Sequence, residues 1–319
     1  MSTKQEPDPA ETPDPLSTFN NSLNEFRQIN ESGLYRGLAN ATSELKPSLA
    51  RLAGDDQPWV TNELLHHMET ESTRDFKRVA PLTMEEGTAR RLENLPVSAG
   101  HGQSVYWWQH MQHHGAATRL LDWTASPYVA LYFAACDFPD KDGAVWMVDH
   151  TAVECYVQER LDQHLPELRR RIPMAHTHEA QIEIQIEHES VTVGRHSLRD
   201  LLFFSPSLIP DERMHAQKGW FSCASLPELN HSKIIDRLAD PHGEQRILMR
   251  FKVAGDNKRD ILRSLWDMNI SHETLFPGLD GFCQMLRRRV DLLKPDAEYW
   301  YRFKEGVLTR CSTGTGSAR

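Results

Sequence analysis

Three short stretches, far apart in the chain, carry side chains that could handle an anionic ligand. The first is Tyr35-Arg36-Gly37. The arginine fork is planar, permanently charged and suited to two-pronged contact with a phosphate or carboxylate. Gly37 would let a ligand come close to the backbone. The same arginine could instead pair with a core aspartate such as Asp122. The second stretch runs Thr118-Arg119-Leu120-Leu121-Asp122-Trp123-Thr124. Its two threonines are the candidates to point into a cleft, whereas Arg119 and Asp122, close in sequence, are expected to pair in a buried network. Tyr132, further along, could stack on a ring or fill the core. In the third stretch, Arg213-Met214-His215-Ala216-Gln217-Lys218-Gly219, the Gln217 amide both donates and accepts. It could fix a ribose hydroxyl or an amide. Arg213 would share its face if the stretch is helical and could add a second anion contact.

Histidine is abundant, with 16 in the chain. His110 and His114 stand one helical turn apart, a metal-ligand spacing. The zinc-protease form needs a glutamate directly after the first histidine, and Met111 stands there. His176 and His178 are available as further ligands, but no third-ligand motif follows, so no metal site is assigned. His114, beside Gly115, reads better as a hydrogen-bonding residue of a cleft.

Other chemistries are excluded more simply. The sequence has no Gly-x-Ser-x-Gly, no Gly-x-x-x-x-Gly-Lys-Ser/Thr and no triple-glycine dinucleotide fingerprint. The 5 cysteines are scattered and form no CxxC pair, which argues against both a disulfide framework and a cysteine zinc site. A formal charge of −9 gives no bulk attraction to nucleic acid. Arg169-Arg170-Arg171 and Arg287-Arg288-Arg289 read as solvated helix faces. No apolar run approaches the roughly 20 residues of a membrane-spanning helix. The opening MSTKQEPDPAETPDPLSTF has neither the basic start nor the apolar stretch of a secretory signal. A cytoplasmic protein without a membrane partner is expected.

The elements that must position these residues can be placed coarsely. Residues 1–18 are rich in proline and acids and read as a disordered tail, as do the small polar residues 312–319. Between them, residues 19–311 contain no repeat or low-complexity linker, so one domain is favoured. The pattern predicts helices over Leu16 to Ile29, 60–78, Ser104 to His113, Ser126 to Cys136, 151–171, 197–204, Lys258 to Met268 and Asp280 to Leu292. Strands are predicted around Leu34 to Gly37, Thr118 to Asp122, Ala144 to Val148, Gly219 to Ser222 and Arg246 to Val253. Helices and strands do not alternate regularly, so the fold class is α+β: one mixed domain with a small β-core and surrounding helices.

The motifs, in this order, resemble those of the FRG-domain family, named for a Phe-Arg-Gly motif. Tyr35-Arg36-Gly37 stands for the motif itself, with tyrosine replacing phenylalanine, and Leu45-Lys46-Pro47-Ser48-Leu49-Ala50-Arg51 follows it. The most specific stretch runs from His113 through Thr124, with Ser126-Pro127 and Ala130-Leu131-Tyr132-Phe133-Ala134. Arg213 to Phe221 and Thr274 to Gly281 resemble later family segments. The likeness spans residues 34 to 288.

A more distant likeness is to ADP-ribosyltransferases. There a first-strand arginine holds a phosphate or ribose of NAD, a Ser/Thr strand supports the nicotinamide pocket, and a late glutamate positions the nucleophile. The resemblance implies an ADP-ribosyltransferase-like fold with NAD as substrate. It puts Arg36, Thr118 and Gln217 in catalytic roles, and Arg36, Gly37, His114, Thr118, Thr124, Tyr132, Arg213 and Gln217 around the cofactor. No glutamate stands beside Gln217; the nearest is Glu212. The implied activity is that of an NAD-dependent effector, in bacterial anti-phage defence or a toxin system. It would act on a nucleotide-type small molecule and on a macromolecular acceptor, either protein or nucleic acid. The alternatives are a catalytically inactive ligand sensor, an interaction module and a metal-dependent nuclease.

Overall fold

A computed structural model describes residues 14–30, 32–54, 60–83, 104–164, 201–207, 211–227, 230–238 and 247–293. The described chain is mixed helix and sheet, as the α+β assignment requires. Helix α1 (Pro15–Ile29) starts inside the segment expected as a tail. Asp14 caps it, its carboxylate accepting from the Ser17 amide at 2.9 Å, and Pro15 supplies a first-turn residue whose missing N–H costs nothing. Residues 1–13 and 312–319 lie outside the described residues.

Six strands form one antiparallel sheet: β1 (Gly33–Leu38), β2 (Leu120–Thr124), β3 (Gly143–Asp149), β4 (Leu202–Pro206), β5 (Gly219–Ala224) and β6 (Leu248–Val253). Their spatial order is β4-β5-β2-β1-β3-β6. Pairing with period-two alternation sends Tyr35, Val145 and Met147 to one face and Leu34 and Val148 to the other. The first face is covered by α1, by α5 (Pro127–Ala135) and by α9 (Lys258–Asp267), which bury Phe19, Leu23, Phe26, Ile261 and Leu265 against it. The second carries α4 (Ser104–His113), α6 (His150–His164) and α8 (His231–Leu238), through Trp108, Met111, Val153, Ile234 and Ile235. The remaining described helices are α2 (Ser48–Ala53), α3 (Asn62–Thr83), α7 (Glu212–Ala216), α10 (His272–Leu275) and α11 (Leu279–Leu293).

Two glycines are required by the geometry. Gly115 closes α4 at φ +87°, a left-handed conformation that favours glycine. Gly37 faces α5, where a Cβ would overlap the Ala130 carbonyl oxygen and press on the Ala134 amide. Its small size therefore serves strand–helix packing, not the close approach of a ligand as expected.

The predicted helix at 197–204 is corrected. Residues 202–206 form strand β4, with Leu202, Phe203 and Phe204 all buried. A short continuous apolar run has no period that separates helix from strand, and here pairing with β5 decides. Residues 197–200 and 165–171 lie outside the described residues.

Arg119 does not pair with Asp122. Three positions apart along extended chain, the two point to opposite faces. Arg119 instead donates Nε to both carboxylate oxygens of Glu69 at 2.9 Å, with both side chains 1% exposed, and Nη1 to the Ser225 carbonyl at 2.9 Å. Glu69 comes from α3, so this buried pair fixes that helix to the sheet.

Candidate functional site

Strands β1 and β2 are neighbours, but their ladder register is limited to one pair, Tyr35 opposite Thr124. Beside this single rung the Arg36 guanidinium crosses to β2 and donates Nη1 to the main-chain carbonyl of Asp122. The Asp122 carboxylate lies 3.8 Å from the same nitrogen, too far for a hydrogen bond. The arginine side chain is 15% exposed and the aspartate 59%. Arg36 Nε is buried without a hydrogen-bond partner. Burial lowers the Arg36 pKa, Asp122 opposes that shift, and the nearby Arg51 charge adds to it. The Arg51 guanidinium itself donates to the Lys46 carbonyl at 2.6 Å.

Asp122 is the anomaly of β2. The other four residues of the strand are buried, and this central one is exposed. Gln112, near the end of α4, donates Nε2 to Asp122 Oδ1 at 2.7 Å and accepts from the Thr118 hydroxyl through Oε1. Thr118 itself is fully buried. Its hydroxyl also accepts from the Leu120 amide at 3.2 Å, and its main chain exchanges hydrogen bonds with Ser48 and Leu49. Thr118 is therefore a closed joint behind the site and does not face an open cleft.

Thr124 is likewise buried. Its hydroxyl donates to the Gln217 carbonyl at 2.6 Å and accepts from the Ser126 amide at 3.0 Å. Gln217 ends α7, and its Nε2 donates to the Leu275 carbonyl at 2.9 Å. The three motifs are joined by continuous contacts: Thr118 to Gln112 to Asp122 to Arg36, and Thr124 to Gln217. The polar groups of Thr118, Thr124 and Gln217 named here are engaged in holding that arrangement.

A second group lies around Gln217. Arg213 stacks its guanidinium 4.6 Å from the Phe276 ring centre, and its Nε is buried without a partner. His272 stacks on Phe276 at 4.2 Å and meets the Tyr132 hydroxyl through Nδ1 at 3.1 Å. Burial and the charges of Arg288 and Arg213 hold His272 down at about 4, despite Asp137. Tyr132 is 4% exposed and packs on Phe133, so it fills the core and offers no open ring. Burial, above all, raises its pKa.

At the end of α4, His110 and His114 are nearly parallel, His113 meets His114 edge-on, and His114 is exposed. Desolvation and its two histidine neighbours hold His110 at about 4. His113 Nδ1 lies 3.0 Å from the Asp211 carboxylate. Among the described residues no group of three or more His, Cys, Asp or Glu could hold a metal ion; His176 and His178 lie outside them. Of the basic runs, Arg287-Arg288-Arg289 is not uniformly solvated. Arg288 turns in to the Cys136 carbonyl and to Asp137, with its Nε buried. The other run lies outside the described residues. A shallow depression of about 490 Å³, lined by Trp266, Asn269, Ser271, Glu273, Thr274 and Pro277, shares no residue with the Arg36 site.

Sequence reasoning missed Gln112 and Arg51 and treated Asp122 as buried. The signal for Asp122 was present: a lone carboxylate between apolar neighbours in an interior strand. Gln112 gave none, because nothing local shows where a helix end will point.

Residues 31–143 match the family model described as the FRG domain. The match supports the FRG-domain resemblance and takes in Arg36, Gln112, His114, Thr118, Asp122, Thr124 and Tyr132, while Arg213 and Gln217 fall outside it. No curated protein and no solved structure matches the chain. Among the described residues, no helix is long and apolar enough to cross a membrane.

Proposed function

We propose that this chain binds a nucleotide-type ligand, NAD, and acts as an ADP-ribosyltransferase-like effector. The observation that carries the reading is the state of Arg36. A largely buried guanidinium with a buried, unpartnered Nε, under the charge of a second arginine and with its nearest carboxylate held out of hydrogen-bond range, is prepared for an anion. A pyrophosphate on Arg36 and Arg51 would satisfy the orphaned N–H and relieve the repulsion between the two cations. Arg213 is the candidate for a further anionic contact. Thr118, Thr124 and Gln217 act from behind, by fixing β2 and the α7–β5 turn.

Cleavage of a nicotinamide–ribose bond passes through a cation-like state, so positioning and electrostatic stabilisation supply most of the rate. An effector role in bacterial defence or a toxin system rests on resemblance alone. The second reading, a ligand sensor without catalysis, draws on the engagement of Thr118, Thr124 and Gln217 within the fold. Incubating the purified protein with NAD, while following calorimetric binding and nicotinamide release, separates the two. Binding with release supports the enzyme, binding without release supports the sensor, and absence of binding removes both.

A further inference from the structure

In the ADP-ribosyltransferases that the chain resembles a late glutamate positions the nucleophile; here no glutamate neighbours Gln217, and another carboxylate would have to take that place. The structure offers one elsewhere. Asp122 sits mid-strand between β1 and β5 and is the exposed residue of an otherwise buried segment. One carboxylate oxygen, Oδ1, is fixed by Gln112 at 2.7 Å. The other, Oδ2, faces Arg36 at 3.8 Å without a hydrogen bond to it. A half-immobilised carboxylate with a receptive oxygen beside an anion-binding arginine is oriented for proton chemistry.

Three other carboxylates of the region are committed. Asp211 holds His113 and the Arg213 amide, Glu69 is buried on Arg119, and Asp137 meets Arg288.

We propose that Asp122 is the catalytic carboxylate of this protein, positioned by Gln112; the assignment rests on the NAD reading above. With water as acceptor, the bond between ribose C1′ and the ring nitrogen breaks. Its electron pair stays on that nitrogen, and neutral nicotinamide leaves. A lone pair of the water oxygen forms the new bond to C1′, and the proton the water loses passes to the Asp122 carboxylate and on to solvent. The sum is NAD plus water giving ADP-ribose, nicotinamide and a proton. A hydroxyl acceptor on a macromolecule would lose its proton by the same route.

Asp122→Asn is the direct test, because Arg36 is anchored on the Asp122 main-chain carbonyl, which the substitution retains. An unchanged melting temperature checks the fold. A general base contributes about 100- to 10,000-fold, so kcat for nicotinamide release is expected to fall at least about 100-fold. The NAD dissociation constant should stay close to that of the parent. Release that survives Asp122→Asn at the parental kcat overturns the assignment and leaves the NAD reading standing. A parent protein that binds NAD without releasing nicotinamide overturns it in favour of the sensor. A parent that binds no NAD removes both.

Discussion

Arg36 donates to the main-chain carbonyl of Asp122, while the carboxylate of the same residue stays 3.8 Å away and largely exposed. The arginine thereby crosses between two strands that share one rung, with a main-chain atom as its hydrogen-bond anchor. In the reading proposed above, structural anchoring and ligand binding are combined in one guanidinium, using different nitrogens. Its Nε is buried without an acceptor.

Arg36→Lys should separate these two duties. A lysine keeps the charge but has one compact donor group, so it cannot serve both the Asp122 carbonyl and a phosphate in the arginine's geometry. Loss of one charge-assisted hydrogen bond, about 1.5–3 kcal/mol, corresponds to a roughly 10- to 100-fold weaker NAD affinity. Stability should fall by only about 1 kcal/mol, the ordinary worth of one hydrogen bond. Calorimetric titration and thermal melting on the same preparation give both numbers. A clear loss of stability with unchanged NAD binding would falsify the anion-binding role.

The buried pair of Glu69 and Arg119 makes a purely structural prediction. Glu69→Gln leaves a fully buried guanidinium without its counter-charge, which should cost about 3–5 kcal/mol in urea unfolding. The double variant Glu69→Leu/Arg119→Leu removes both charges and should lose clearly less than the single one. A double variant no more stable than Glu69→Gln would show that packing at this site, not charge compensation, sets the cost.

Much of this arrangement was legible in the sequence, and the failures share a cause. Helix Ser104–His113 was readable at its C-terminal end because Gly115 marks it, and the start of α5 because Ser126 and Pro127 supply a cap and a first-turn residue. Such signals are local. The partner of Arg119 lies 50 residues away in sequence, so sequence proximity pointed to Asp122, and only the strand alternation corrects it. Gly37 could be recognised as a close-approach position, but not what approaches. The nucleotide-facing roles given to Thr118 and Tyr132 read residue type correctly as polar or aromatic, yet burial is a tertiary property that type does not settle.

Gly37→Ala tests the packing account directly. The added methyl would meet backbone atoms of α5 at Ala130 and Ala134, which cannot rotate aside as a side chain could. Overpacking of this kind costs typically about 1–3 kcal/mol, and the rigid neighbour places this case at the upper end or beyond. Denaturant titration should show it as a lower midpoint. A variant as stable as the parent would mean that β1 and α5 can separate freely, and the account of Gly37 would fail.

The last prediction concerns acid. Trp123 Nε1 donates to Ser222 Oγ at 2.8 Å, and Ser222 meets His231 Nδ1 at 2.8 Å. An indole nitrogen can only donate, so Ser222 Oγ accepts from Trp123, and burial keeps the His231 ring beside that hydroxyl neutral. It is fully buried, its Nε2 has no partner, and burial with the nearby Arg36 charge holds its pKa down to about 3. The sign follows from the unfolded value of about 6.5. Above that pH both states are neutral at this ring and it contributes nothing to pH dependence. Between about 6.5 and 3 the unfolded chain takes up a proton that the folded chain refuses. Stability is therefore lost as pH falls, by up to about 1.4 kcal/mol per pH unit for this one ring. His110 and His272, also held low at about 4, act in the same direction. Carboxylates add to the slope as well, so the measurement is a difference. His231→Gln keeps an acceptor for Ser222 but cannot titrate. Chemical denaturation of parent and variant from pH 7.5 to 4 should give a shallower decline for the variant. Parallel curves would show that His231 is not held below its ordinary pKa in the folded state.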